Sequence, residues 1–351
     1  MESPERSTER ARGAAGLVIA LAVALWLRLR LGGPFAEAPV PGRPWLAGSD
    51  AYAHAHRIRR LIESFPEPVL RDPFLFHPEG TMNEWPLGFD WPLAAGLRLV
   101  MAFGASLDAV LMSLPWLPVG LGLVTVVATH RLAGRWLGPA AAFVATLAVG
   151  VNVAYLHVSR PGALDHHVVE PLGVVLLLGL PGALARAEPL ALRTRALALA
   201  ALAWCSTLFA LLLAGALGLI ALEALVRERR AGPGEVVFAR WHLVALGAVC
   251  SYEAAARGSW LGLATLSLLP FGAAAGALGL RTLVGLVPRR VLVGVALGAP
   301  LLGLLLLPGG LGFAAGVIRG TNPFLQRVGE SQALFLQAEG PTLRVAHATF
   351  G

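Results

Sequence analysis

The sequence contains no lysine, only two cysteines and three tyrosines, and just 14% charged residues. Each shortage excludes something. Cys205 and Cys250 both fall in apolar stretches, so there is no disulfide framework and no cysteine spacing for a metal. They read as buried thiols. A soluble globular domain carries about 25% charged residues. The deficit here, with 56% hydrophobic residues and a mean hydropathy of +0.68, excludes that class. Arginine alone supplies the positive charge behind the net charge of +7. These arginines stand in short loops between apolar runs rather than in one basic patch, which argues against a nucleic-acid partner.

Apolar runs of roughly 18 residues or more recur along the 351 residues. No alternating ten-residue pattern accompanies them, so helices rather than a barrel satisfy the backbone in lipid. The expected architecture is an all-α membrane protein, a polytopic helical bundle of about nine spans with a long first external loop. The first span runs from about Ala14 to Leu31, after Arg6, Arg10 and Arg12. No clean small-residue cleavage site follows it, and Arg28 and Arg30 stand at its far end, so it reads as a retained anchor. The first external loop covers about residues 32–107 and ends in an amphipathic stretch, Leu93–Leu107, suited to the interface. Further spans fall near Val110–Ala128, Gly138–His157, Val168–Leu184, Ala196–Phe209, Ala210–Leu225, His242–Ala255, Trp260–Leu280 and Val291–Leu307. The apolar stretch from Ala196 to Val226 is too long for one span, and polar residues at Trp204–Thr207 mark a turn within it. A last external loop begins near residue 308.

Arginine sets the orientation. Arg131, Arg135, Arg186, Arg193, Arg195, Arg227, Arg229, Arg230, Arg240, Arg281, Arg289 and Arg290 occupy alternate loops. By the positive-inside rule those loops and the N-terminus are cytoplasmic. The acidic and histidine-bearing loops then lie outside, on the far face of the cell membrane. Glu170, Glu223 and Glu253 fall within a turn or two of predicted span ends, not at the depth where a transporter places its ionisable groups.

Three motifs share the external side. Gly48-Ser49-Asp50-Ala51-Tyr52-Ala53-His54 either caps the helix that follows it or offers a carboxylate to a hard cation. Ser159-Arg160-Pro161-Gly162-Ala163-Leu164-Asp165-His166-His167 offers a carboxylate and imidazoles two residues apart. That donor mix suits Mn²⁺ or another borderline metal, or else Asp165 caps the span and the histidines anchor it. Val328-Gly329-Glu330-Ser331-Gln332 carries a glutamate that, alone, is a solvated loop residue. Trp204 reads as an interfacial belt residue.

Taken in order, these residues resemble the catalytic subunit of oligosaccharyltransferase, including its single-subunit archaeal and bacterial forms. Gly48–His54 is similar to the acidic motif of that family's first external loop. Asp165-His166-His167 is similar to its Asp-x-His motif, Arg327-Val328-Gly329-Glu330 to its glutamate motif, and His77-Pro78-Glu79-Gly80 to a stretch of archaeal-type members. The resemblance implies a membrane glycosyltransferase of GT-C type, with residues 1–351 as one transmembrane catalytic domain. It implies transfer of an oligosaccharide from a polyprenyl-diphosphate donor in the lipid bilayer to an acceptor polypeptide, at an asparagine. Asp50, Asp165 and His167 would hold a divalent metal, Mn²⁺ or Mg²⁺. Asp50 and Glu330 would act on the acceptor amide, while His77, Arg160, His166 and Trp204 would contact the donor. Family members continue into further spans and a soluble acceptor-binding domain with a Trp-Trp-Asp-Tyr-Gly motif, and the sequence to Gly351 has neither. Two alternatives stay open: a related enzyme using a polyprenyl-monophosphate sugar, and a non-catalytic scaffold or transporter.

Overall fold

Small residues decide where the first helix packs. In the computed structural model, which describes residues 4–31, 46–68, 70–72, 81–83, 85–226, 232–258, 268–283, 286–288, 290–292 and 294, α1 covers Pro4–Leu31. Ala20 and Ala24 are fully buried on one of its faces. A Cβ on Gly150 would come within 3.2 Å of the Ala24 Cβ, so the two backbones meet closely, as small residues permit between helices in lipid. Gly150 belongs to α6 (Pro139–Val151), which follows α5 (Leu117–Leu137). Arg28, one turn beyond Ala24, is fully buried and donates through Nη1 to the carbonyls of Ala24 at 2.9 Å and Gly150 at 3.3 Å.

The described residues between α1 and residue 107 pack against the bundle. Its helix α2, Ser49–Ser64, buries Ala51, Ala55, Ile58, Leu61 and Ile62, while Arg59 and Glu63 pair on the outside at 3.0 Å. A two-residue antiparallel ladder follows, β1 (Arg71–Asp72) with β2 (Thr81–Met82). The stretch Leu93–Leu107, expected as an interfacial helix, holds most of α3, Asp90–Ala102, packed on α2, and ends at the first residue of the next helix. Its outer side exposes Leu99 and Val100, with Phe103 just beyond. Next comes α4, Leu107–Ser113, capped by the Ser106 hydroxyl, which accepts from Ala109 N at 3.2 Å.

The helix containing α6 bends by 61° into α7, Val153–Ser159. Asn152 makes the break, because its side chain accepts from Tyr155 N at 2.9 Å and caps α7. Beyond a short loop, a 3₁₀ turn at His166–Val169 leads into α8 (Glu170–Leu178) and α9 (Leu180–Arg186). The polar break expected at Trp204–Thr207 is present. α10 (Pro189–Cys205) ends there, Ser206 turns extended at φ −135°, and α11 (Thr207–Val226) begins. The Ser206 hydroxyl caps α11 by accepting from Phe209 N at 3.2 Å. Then α12, Pro233–Arg257, packs on α10, and α13, Leu268–Leu283, packs on α11 and α12.

Among the described residues, three helical stretches are long and apolar enough to cross a membrane: Ala11–Arg30, Leu107–Leu137 and His166–Arg186. The bent pair α6–α7 makes a fourth if it is one span. All of this belongs to a unit spanning Met1–Gly285. A second unit, Leu286–Gly351, is described only at its first few positions. The expected span at Val291–Leu307 and the loop from residue 308 lie almost wholly outside the described residues.

Candidate functional site

Two loops far apart in sequence are stitched together by backbone. Ala47 N donates to the Gly162 carbonyl at 2.8 Å, and Gly162 N donates to the Pro115 carbonyl at 2.8 Å. This sets the start of α2, with Asp50 in its first turn, beside the 160–165 loop. Gly48, at φ 104°, is the N-cap, and no side chain caps the helix. The carboxylate of Asp50 is therefore not used as a cap. It is exposed, and its charge acts on the His167 ring.

Asp165 does cap the 3₁₀ turn, accepting from His167 N at 3.4 Å. Its Oδ1 also lies 2.8 Å from His166 Nδ1 and 3.6 Å from His54 Nε2. His167 Nδ1 sits 2.8 Å from Glu170 Oε1, which in turn accepts from the Ser206 hydroxyl at 2.6 Å. Among the described residues two groups of ligand-type atoms result, each with its atoms within 4.8 Å of one another: His54, Asp165 and His166, and then His166, His167 and Glu170. Asp50 is in neither group, although the fold brings its helix start alongside them. Mixed imidazole and carboxylate donors suit a borderline divalent ion.

Behind His54 stands a buried charge pair. Its Nδ1 lies 2.5 Å from Asp90 Oδ1, and Arg57 Nε donates to Asp90 Oδ2 at 2.7 Å. Burial raises the cost of charging Asp90, but Arg57 and His54 outweigh it and hold the carboxyl at about 2. Burial likewise opposes a proton on His54, yet Asp90 and Asp165 favour it and the net shift is upward. Burial also opposes the Asp165 charge, and His166 and His54 hold its carboxyl well below the usual range. A histidine whose second nitrogen is engaged by a carboxylate is the arrangement that orients imidazole ligands in metal sites.

The chain matches no family model. Over 155 residues, 42% of this chain and 14% of the relative, it is 32% identical to the dolichyl-monophosphooligosaccharide–protein glycotransferase AglB of Haloferax volcanii. The apo oligosaccharyltransferase of Archaeoglobus fulgidus superposes with a TM-score of 0.68 at 19% identity, over 89% of this chain and 39% of that one. A complex of the A. fulgidus oligosaccharyltransferase with Zn and sulfate superposes with a TM-score of 0.64 at 18% identity, over 93% and 46%. Over those 155 residues the chain is similar in sequence to an AglB-type oligosaccharyltransferase, and it shares the fold of the A. fulgidus structures. A structure of A. fulgidus AglB with an inhibitory peptide and a dolichol-phosphate also matches, with a TM-score of 0.64 at 16% identity over 85% and 37%. The chain spans less than half the length of each of these relatives.

The remaining expected residues divide three ways. The Nε of Arg160, in the Asp165 loop, is buried and has no hydrogen-bond partner among the described residues. Trp204 stands at the end of α10 with its indole N–H donated to Glu253 Oε1 at 2.7 Å, a bond inside the protein. His77 and Glu330 lie outside the described residues. Sequence reasoning took Arg57, with Arg59 and Arg60, to face water, whereas Arg57 is buried; it missed Asp90, Trp85 and Arg257, and treated Glu170 and Glu253 as span ends. The i, i+3 spacing of His54 and Arg57 on one helix was the available signal. No local pattern points from His54 to Asp90.

Proposed function

We propose that this chain is the membrane-embedded catalytic part of an oligosaccharyl-transferring enzyme, acting on a polyprenyl-phosphate-linked oligosaccharide and an asparagine of an acceptor polypeptide. The observation that carries this is the gathering of Asp165, His166, His167, Glu170 and His54 beside Asp50, on the fold of an oligosaccharyltransferase. On this reading the protein is a polytopic GT-C bundle of about nine spans in the cell membrane. Its N-terminus is cytoplasmic and the site faces outside, as the arginine loops support.

Asp50, Asp165 and His167 would hold a divalent cation, Mn²⁺ or Mg²⁺, with His54 and Glu170 fixing the surrounding rings and carboxylates. When bound, that cation neutralises charge on the leaving phosphate. The chain's own groups do the rest. Asp50 and Glu330 accept hydrogen bonds from the acceptor amide and take its proton as nitrogen bonds to the anomeric carbon. The sugar–phosphate bond breaks, and the polyprenyl phosphate or diphosphate leaves with the bonding pair. His77, Arg160 and His166 offer positive or hydrogen-bonding groups to its oxygens, and Trp204 supports the wall beside them.

The resemblance implies a diphosphate carrier. A second reading, one phosphate, is favoured by the H. volcanii relative, which is named for a dolichyl-monophosphooligosaccharide. Membranes containing the chain, supplied with either donor and an acceptor peptide, test both. Asp50→Ala and Asp165→Ala should each lower transfer at least a hundredfold, with the donor type showing which carrier is used. Full activity of both variants would overturn the assignment.

A further inference from the structure

Trp85 is a large aromatic side chain at the edge of the site that the proposed chemistry leaves without a task. It is 39% exposed, yet its backbone is held at both ends. Its N–H donates to Asn83 Oδ1 at 3.1 Å, and its carbonyl accepts from Arg257 Nη2 at 2.7 Å. The same guanidinium donates to the Asn83 carbonyl and, through Nε, to Glu253 Oε2 at 2.8 Å. Glu253 is fully buried, and its other oxygen accepts from Leu87 N at 2.6 Å and from the Trp204 indole at 2.7 Å. The last turn of α12 thus devotes a buried ion pair to three backbone groups of residues 83–87. Burying such a pair carries a substantial desolvation penalty, and what it fixes here is the loop that presents Trp85.

The indole faces a functional neighbour. Its ring centroid lies 5.6 Å from that of His166, at 40°, and His166 contributes to both groups of ligand atoms. An interfacial belt tryptophan is the plainer reading, but a belt residue needs neither a clamped backbone nor a place against this histidine. The donor's first sugar is bonded to the phosphate that the His166 side of the site receives. A pyranose has an apolar C–H face, which packs on the electron-rich face of an indole. An amphipathic ring held rigid at the site's edge meets it with little ordering cost.

We propose that Trp85 is the stacking platform for the first saccharide of the lipid-linked donor, an assignment that rests on the transferase reading above. The test measures binding of two probes to the purified full-length chain in nanodiscs: polyprenyl phosphate alone, and the same carrier bearing an oligosaccharide. Trp85→Ala should weaken the sugar-bearing carrier roughly three- to tenfold and leave the bare carrier unchanged. Trp85→Phe should retain most of the binding. Mn²⁺ binding, followed by its electron paramagnetic signal, should be the same in all three proteins. Equal binding of the sugar-bearing carrier by wild type and Trp85→Ala overturns the platform alone. Equal weakening of both probes, or loss of Mn²⁺ binding, also overturns it, because Trp85 would then serve to hold His166. A wild-type chain that binds neither probe contradicts the transferase reading and the platform with it.

Discussion

Asp90 is the residue on which the buried side of the site turns. It neutralises Arg57 and orients His54 at once, with both partners nearly excluded from solvent. Asp90→Asn leaves the guanidinium buried without its carboxylate, a loss that runs to about 3–5 kcal/mol in such pairs. The variant should melt at a clearly lower temperature in detergent. Its Mn²⁺ affinity should fall as well, by about tenfold, because Asp90 orients His54 and His54 in turn faces the Asp165 carboxylate. An unchanged melting point would contradict the pairing. The pH dependence has a definite sign. The folded carboxyl titrates at about 2, below its ordinary 3.8, so its contribution is complete above the ordinary value and is lost as pH falls toward 2. Unfolding measured across that window should show a steeper loss in wild type than in Asp90→Asn. None of this was visible in sequence. Asp90 read as one more loop acid, because its partners stand 33 and 36 positions away.

At the scale of elements, local chemistry and long-range packing separate cleanly. The break between α10 and α11, a helix at the place of α3 and the start of the 3₁₀ turn at Asp165 were legible, because serine, aspartate and apolar periodicity act within a few residues. The bend at Asn152 shows the same logic, although the sequence was read there as one uninterrupted span. The strap from α12 was not legible, since Glu253 meets Leu87 across 166 positions. Its close fit appears at Gly88, where a Cβ would collide with the backbone of Trp204. Backbone cannot yield as a side-chain tip can, so Gly88→Ala should push the first external loop off α10. A destabilisation of about 1–3 kcal/mol is expected for overpacking of this kind. Chemical denaturation of the detergent-solubilised chain, with tryptophan emission as the readout, checks it. Stability equal to wild type would mean that the loop has room the structure denies it.

For the whole molecule, what the sequence conveyed was order and sidedness. A membrane makes topology nearly one-dimensional, so arginine placement and span counting put the Gly48–His54 and Ser159–His167 motifs on a common face before any contact was known. The structure adds their physical meeting, through Ala47 on Gly162, and adds His54 and Glu170 as the groups that frame the two ligand clusters. It also shows that Trp204 serves the scaffold through Glu253. The proposed function requires that these clustered donors hold a divalent ion that enables glycosyl transfer. The direct measurement is transfer from a lipid-linked donor to an acceptor peptide, in membranes stripped with chelator and then resupplied with Mn²⁺. Transfer should cease on stripping, return with Mn²⁺ in wild type, and stay absent in Asp165→Ala. Transfer that continues undiminished in chelator would contradict the proposed function.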